Sequence, residues 1–447
     1  MSAIFPANRR PRVLQIAYAC RPNQGSEPGM GWNRAVEAAK YCDTTVLCEG
    51  TRCEAEVRAW LQTHGEIPGL SFAFVPHSAL QLQLKKLPGG FYPAYNLWHR
   101  SALTAARELH ARFAFDLVHQ VTYCGYREPG YAWQLPIPFV WGPIGGTHNY
   151  PWRFMGEAGV AGAIEESFRS LVNNLQFFGS RRVRRAIQRS ALTMTGNSAT
   201  RGHFQRYLGL DLPCHLPASG IGEEIAAPRE FRRDGDTAIR ILWCGNLHPL
   251  KGLTMLLKGL AQLPPDVKYR LRVVGRGGYL KAWQSEASRL GIADSIEWTG
   301  WVPHAEALRQ YDWADVFVHT SLRDTLPGVI LEALAAGLPV VCLDHLGMGD
   351  TITADCGVKI PVTTPREVSR RFGEAVRQVA TDPTEWERLS RGAVERAKTF
   401  RWSYQGRKLA ELYRDALVRS GRSEFSAIND SAADVEPRNE RAVEFVR

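Results

Sequence analysis

A chain of 447 residues with a net charge of +10 and a pI near 9.2 is too long for one ordinary core, so two domains of roughly 200 residues are expected. A composition of 45% hydrophobic and 22% charged residues excludes disorder over most of the chain. The positive balance asks for an anionic partner, whether nucleotide phosphate, anionic lipid or nucleic acid. Nine cysteines without a CxxC pair or a histidine at zinc spacing read as reduced, buried thiols.

In chain order, residues 12–18 (RVLQIAY) predict a strand, followed by a Gly/Pro/Ser loop, an amphipathic helix over 32–40 and a second strand in TTVLC. Arg9 and Arg10 precede the apolar stretch 13–19, which runs into Arg21 without a cleavage-type site, so a cytoplasmic location is expected. FDLVHQV and PFVWG each lead into a Gly-rich stretch, which predicts a parallel sheet with long loops. Residues 159–189 read as one helix, basic toward its end, and SALTMTGN as another strand.

The polar stretch 216–236 is the expected linker, between a first domain over 11–225 and a second over 236–400. Beyond it the pattern restarts: IRILWCG, LTMLLKGLAQL, YRLRVVG, SIEWTG, VFVHT and LPVVCL alternate with helices and demand a second parallel sheet. Leu253, Leu256, Leu257, Leu260 and Leu263 share one helix face and belong to the core. Residues 326–343 have the length of a membrane span, but Glu332, Pro327, Pro339 and two glycines favour a helix and a short buried strand. A last helix over 401–420 is expected to pack back on the first domain, with a disordered tail over 421–447.

Ligands of doubly wound sheets sit outside the carboxyl ends of the strands, so the loops there are the candidate sites. GNLHPLKG carries Gly245, Asn246 and Lys251 ahead of a helix; amides and ammonium together suit a diphosphate, and an ordinary turn with a surface lysine is the alternative. In GRGG, Gly275 and Gly277 permit close approach of a ligand to the main chain. Leu280 stands where a dinucleotide fingerprint needs its third glycine, so NAD binding is not expected.

The densest pattern is SLRDTLPGVILEALAAGLPVV. Pro327 suits the start of a helix, Glu332 falls about one turn inside it, and Asp324 lies in the loop before it. Glu332 is placed to accept from a ribose diol, while Asp324 and the amides near Gly328 and Val329 face a diphosphate-linked sugar. A solvent-facing Glu332 with Asp324 as a helix cap is the alternative, opposed by the small residues Ala333, Ala335, Ala336 and Gly337.

In order, GNLHPLKG, VVGRGG, EWTGWVP and an acidic residue eight positions before the glutamate of LEALAAGLPVV resemble the donor domain of retaining glycosyltransferase family 4. The resemblance covers the second half of the chain. It implies the α/β GT-B fold, two Rossmann-like doubly wound parallel-sheet domains facing a cleft, and a metal-independent hexosyltransferase with no cofactor beyond a UDP- or GDP-linked donor. It places Lys251 at the diphosphate, Glu332 at the ribose hydroxyls and Asp324 at the transferred sugar. The implied acceptor is a glycan or polyprenyl-linked sugar of bacterial surface polysaccharide synthesis.

The sequence departs from the family pattern in three places of the second half: Asp324 stands for a glutamate, Asn246 for an arginine and Pro327 for a glycine. A non-catalytic sugar-nucleotide or glycan binding protein is the alternative these departures leave open. In the first half, Gly29 and Gly31 in GSEPGMGW, and Gly145 and Gly146 in WGPIGGTHNY, are candidate cleft glycines. His119 matches the first position of the family's HxH pattern, but Val121 occupies the second, so His119 is either a cleft residue or a buried structural one.

Arg181, Arg182, Arg184, Arg185 and Arg189, near Leu171, Leu175 and Phe178, read either as a solvated basic helix or as a contact with an anionic membrane surface. The stretch 82–95, with Lys85, Lys86, Phe91 and Tyr92, adds to the second reading. No nucleic-acid recognition pattern with interleaved aromatics is present, and no nucleic-acid partner is expected.

Overall fold

The computed structural model describes residues 9–231 and 238–425 and the backbone of Val443–Phe445. The first sheet contains β1 (Arg12–Ala17), β2 (Asp43–Glu49), β3 (Leu70–Val75), β4 (Leu117–Thr122), β5 (Phe139–Ile144), β6 (Ser190–Thr195) and β7 (Cys214–His215). The second contains β8 (Ile239–Cys244), β9 (Tyr269–Val274), β10 (Ile296–Gly300), β11 (Val316–His319), β12 (Val340–Asp344) and β13 (Gly357–Pro361). A last strand, β14 (Val443–Phe445), pairs in parallel with the edge strand β3.

Spatial order is β14-β3-β2-β1-β4-β5-β6-β7 in one sheet and β10-β9-β8-β11-β12-β13 in the other, with parallel pairing throughout. The chain therefore reverses direction of travel across each sheet once, between β1 and β4 and between β8 and β11. Each reversal opens a crevice at the carboxyl ends, where a doubly wound sheet takes its ligand. β4, β5 and β11 are buried along their whole length, as continuous apolar runs covered by helices on both faces require.

One core cluster fills the second domain and three surround the first sheet, with one exchange between the domains. Tyr150, with Phe154 and Ala158 from the turn Trp152–Ala158 that follows it, packs in the core of the second domain. The linker is also held there: Ala226 donates to the Ala335 carbonyl, and the Arg229 guanidinium to the carbonyls of Tyr311, Asp312 and Ala314. Residues 232–236 of the expected linker lie outside the described residues.

The helix Trp402–Arg419 packs on the first sheet, where Leu409, Tyr413 and Leu417 join Val13, Leu117 and Val140. The segment 421–447, expected to be disordered, contains two ordered pieces. Phe425 is buried in that same cluster, under the Arg9 guanidinium, and β14 extends the sheet; the rest of the segment, 426–442 and 446–447, lies outside the described residues.

Two local expectations change. The first helix is Ser26–Ala39, so GSEPGMGW is helical rather than a loop. The helix over 159–189 is two, Gly159–Gly179 and Arg181–Arg189, because the Ser180 hydroxyl accepts from the Val183 amide and caps a new start. Residues 82–95 span the end of Ala79–Lys86, started by a Ser78–Gln81 capping box, and the beginning of Phe91–Phe113. No helix of the described residues is long and apolar enough to cross a membrane, and residues 326–343 form the helix Gly328–Ala335 followed by β12.

Candidate functional site

Lys251 and Asp324 are 73 positions apart, and the crevice between β8 and β11 joins them. The loop after β8 is tied to the loop after β11 by three hydrogen bonds: Thr320 Oγ1 to the Lys251 carbonyl at 2.5 Å, Ser321 Oγ to the Leu250 carbonyl at 3.3 Å, and the Leu322 amide to the same carbonyl at 2.8 Å. Gly252 turns the chain at φ +61°, where a Cβ would meet the Thr320 carbonyl oxygen at 2.6 Å, so the close approach needs glycine. Lys251 Nζ then lies 2.5 Å from Asp324 Oδ2, and the buried His319 Nε2 donates to the same oxygen at 3.3 Å.

Burial pushes the Asp324 carboxyl up, but the Lys251 ammonium and the His319 ring outweigh it and hold it well below the usual carboxylate range. His319 is driven down by burial, with Asp324 opposing. A charged carboxylate and ammonium therefore stand together at the mouth of the sheet. Asp324 bonds to Lys251 of the neighbouring loop and to His319 at the end of β11, and does not cap the helix.

Glu332 is not solvent-facing. Its carboxylate accepts from Tyr311 Oη at 2.8 Å and His304 Nε2 at 3.1 Å, with 22% of the side chain exposed. The bond to Glu332 lifts the His304 pKa, and burial raises that of Tyr311. Pro327 occupies the cap position of the helix Gly328–Ala335, leaving the amides of Gly328 and Val329 in its first turn. Glu332 sits in that short helix, with both carboxylate oxygens bonded.

Gly275 and Gly277 serve a purpose different from the expected one. A Cβ at Gly275 would lie 1.8 Å from the Gly245 carbonyl oxygen, and one at Gly277 would lie 2.3 Å from that of Leu247 and 2.7 Å from Asn246 Oδ1. The neighbouring loop, not a ligand, fills the space their missing side chains leave, and the loops after β8 and β9 form one layer.

In the first domain, Gly29 and Gly31 are buried inside the first helix, where a Cβ would meet the Gln24 and Ala19 carbonyl oxygens at 1.9 and 2.2 Å. They seat the helix on the loop after β1 and do not open toward a ligand. Gly145 and Gly146 do line the cleft, and Gly145 brings the domains together: its Cβ would stand 2.5 Å from the Thr325 side chain. His119 is buried between Tyr413 Oη at 2.6 Å and the Gly142 carbonyl at 2.7 Å, and burial pushes its pKa down to about 3. It is a structural residue of the sheet and does not face the cleft. Replacing His119 with leucine leaves the Tyr413 hydroxyl without this partner and is expected to cost about 1–3 kcal/mol, read in urea melts.

Between the domains lies a cavity of about 330 Å³, within the size range of small-molecule sites. Asp324, Arg323 and Thr325 enter it from the second domain, facing Phe91, Tyr95 and Tyr123 from the first. Arg127 and Arg169 add positive charge, and Asn173 Oδ1 fixes the Arg127 guanidinium at 2.8 Å.

Glu27 lines the same cavity; its Oε1 accepts from the Cys124 amide at 3.1 Å, and its buried Oε2 has no hydrogen-bond partner among the described residues. Burial raises its pKa to about 7. A carboxyl whose folded pKa exceeds its unfolded one favours the fold below the unfolded value and loses that advantage as pH rises through the folded value. Glu27→Gln is therefore expected to stabilise the protein by up to about 3 kcal/mol at pH 8.5 and by little at pH 4.5, measured as paired melting curves.

Sequence reasoning missed Glu27, Arg127, Arg169, Arg323, His319 and the aromatic wall. Its available signal was position: YCGYRE directly follows β4 and the Glu27 helix directly follows β1, on either side of the first crevice.

Residues 238–382 match the family described as Glycosyl transferases group 1. They form a group 1 glycosyltransferase domain. Asp324, Lys251 and Glu332 all lie within this group 1 domain. A D-inositol 3-phosphate glycosyltransferase from Thermobispora bispora is 29% identical over 226 residues, 48% of this chain and 51% of that protein. The chain spans about half the length of the curated relatives it matches.

Sucrose-phosphate synthase from Thermosynechococcus elongatus matches 92% of this chain and 100% of its own, with 15% identity and a TM-score of 0.61. Anabaena HepE in complex with UDP-glucose matches 90% and 99%, with 18% identity and a TM-score of 0.57. The group 1 domain and its companion are therefore arranged as in the GT-B fold, the fold class that the sequence implied. All nine cysteines are free.

Proposed function

We propose that this chain is a retaining hexosyltransferase that moves a sugar from a nucleotide-diphosphate donor to a glycan or lipid-linked acceptor in bacterial polysaccharide synthesis. The observation that carries the reading is the Lys251–Asp324 pair at the β8/β11 crevice, where Asp324 opens into the interdomain cavity. Lys251 and the first amides of the helix Gly328–Ala335 supply positive charge for a diphosphate, the role a metal ion takes in other transferases. Asp324 then stands beside the transferred sugar and Glu332 beside the ribose. HepE, of the same fold, takes UDP-glucose, which makes UDP the first donor base to try.

Arg127, Arg169 and Arg323 in the cavity suit an acceptor that itself carries phosphate, in agreement with a polyprenyl-linked sugar at the inner face of the membrane. The donor nucleotide sugar is the sole small molecule required beside that acceptor. A panel of UDP-, GDP- and ADP-sugars with membrane extract as acceptor, scored by mass spectrometry, tests the reading: one donor is consumed and Glu332→Ala removes the product. Nucleotide binding at millimolar concentration without turnover on any acceptor would instead favour a non-catalytic binding protein, the reading that Asn246, Pro327 and Val121 leave open. No nucleotide contact at all would sink both.

A further inference from the structure

The helix Gly159–Gly179 turns its packed side inward through Gly162, Glu166, Asn173 and Phe177. Its opposite side is not polar. Val160, Ile164, Phe168, Leu171, Leu175 and Phe178 are 81, 67, 68, 57, 66 and 49% exposed, and at about 100° per residue they fall within roughly 80° of arc. Trp152, 75% exposed with Arg153 over its ring, lies just before the helix. Six large apolar side chains aligned on the solvent side of one helix are not a feature of an ordinary protein surface, where such residues are scattered singly.

The charge around this stripe is positive. Across residues 159–189 there are six arginines against two glutamates, and one of the two, Glu166, is turned inward onto Arg323. Arg181, Arg184, Arg185 and Arg189 are exposed on the helix that follows directly. The stripe lies on the solvent side of the helix. An apolar stripe followed by exposed guanidinium groups matches the boundary of an anionic bilayer, with acyl chains meeting the stripe and phosphates the arginines.

The inner side of the same helix belongs to the cavity. Arg169 lines it, and Asn173 holds Arg127 and Tyr126, which line it as well. We propose that Gly159–Gly179 is an interfacial helix that docks on an anionic lipid bilayer through the Val160–Phe178 stripe, anchored by Trp152 and the basic helix Arg181–Arg189. Docking in this way sets the cavity at the membrane surface, within reach of an acceptor whose lipid tail stays in the bilayer. The lipid binding stands on the helix alone; the delivery of an acceptor rests on the reading of the cavity as a transferase site.

Vesicle co-sedimentation of the full chain without nucleotide sugar tests the docking. The protein is expected to pellet with vesicles of phosphatidylglycerol and phosphatidylcholine and to bind pure phosphatidylcholine about tenfold or more weakly. Ile164→Ser with Phe168→Ser, and separately Leu171→Ser with Leu175→Ser, are each expected to weaken binding at least about tenfold with the melting temperature unchanged. Arg181→Glu with Arg185→Glu is expected to remove the preference for anionic vesicles. Wild-type protein remaining in the supernatant with both vesicle types at millimolar lipid overturns the proposal. So does a lipid-free dimer in analytical ultracentrifugation that the serine variants dissolve, because a second copy would then cover the stripe. Vesicle binding with a failed donor panel would remove the transferase reading and leave the docking in place.

Discussion

Lys251→Met is expected to lower kcat/KM for sugar transfer by about 10²–10³-fold, equivalent to roughly 3–4 kcal/mol of transition-state stabilisation. The negative charge of a departing nucleoside diphosphate grows as the sugar leaves, and a preorganised cation beside it is worth more in that state than in the ground state. Methionine keeps the length of the side chain and removes the charge. In the free protein the ammonium is held by Asp324 at 2.5 Å, so the variant also leaves that carboxylate with His319 as its remaining side-chain partner among the described residues. Part of the loss therefore comes from a displaced Asp324.

Two further variants separate the contributions. Lys251→Arg keeps the charge but spreads it over a planar fork, and it is expected to recover part of kcat/KM. Lys251→Met combined with Asp324→Asn removes the unpaired carboxylate and restores stability without restoring turnover. Isothermal titration with UDP reads the ground-state part: a weakened Kd much smaller in effect than the loss in kcat/KM places Lys251 on the leaving group. Unchanged turnover in Lys251→Met would remove the donor-site reading of the β8/β11 crevice.

The second domain was legible because its apolar runs and glycine punctuation mark every strand end, and strand ends are where ligands of such sheets go. Lys251, Asp324 and Glu332 were found by that rule together with the resemblance. Their partners were not. His319 is the last residue of the strand that leads to Asp324, yet nothing in VFVHT says that its ring turns back to a carboxylate five positions on. Tyr311 reaches Glu332 from a helix 21 positions earlier, a contact set by tertiary packing.

The first domain was less legible for a different reason. Glycines carry two meanings, open space for a ligand and close approach of main chains, and spacing alone does not separate them. Gly29 and Gly31 have the second meaning, with a carbonyl oxygen where a Cβ would sit, as do Gly275 and Gly277 in the second domain. His119 failed similarly: FDLVHQV reads as a strand, and whether its histidine ends in a cleft or under a helix depends on Tyr413, 294 positions away. The exposed stripe on Gly159–Gly179 was half seen, because the arginines drew the reading to the basic end and away from Val160, Ile164 and Phe168.

Arg323→Ala is expected to destabilise the protein by about 3–5 kcal/mol, a fall of on the order of 10 °C in melting temperature. Arg323 makes two bonds to Glu166, at 2.6 and 3.1 Å, and the Glu166 carboxylate is 0% exposed. Removing the guanidinium leaves the buried Glu166 carboxylate without its counter-charge, the costly half of breaking a buried ion pair. Arg323→Met together with Glu166→Gln removes both charges and is expected to recover most of the melting temperature. That double variant also separates structure from function. The pair ties the helix Gly159–Gly179 to the loop that carries Asp324, and Arg323 itself lines the cavity. Restored stability with turnover still depressed places the guanidinium on a bound ligand. Restored stability with restored turnover confines the pair to holding the two domains in register.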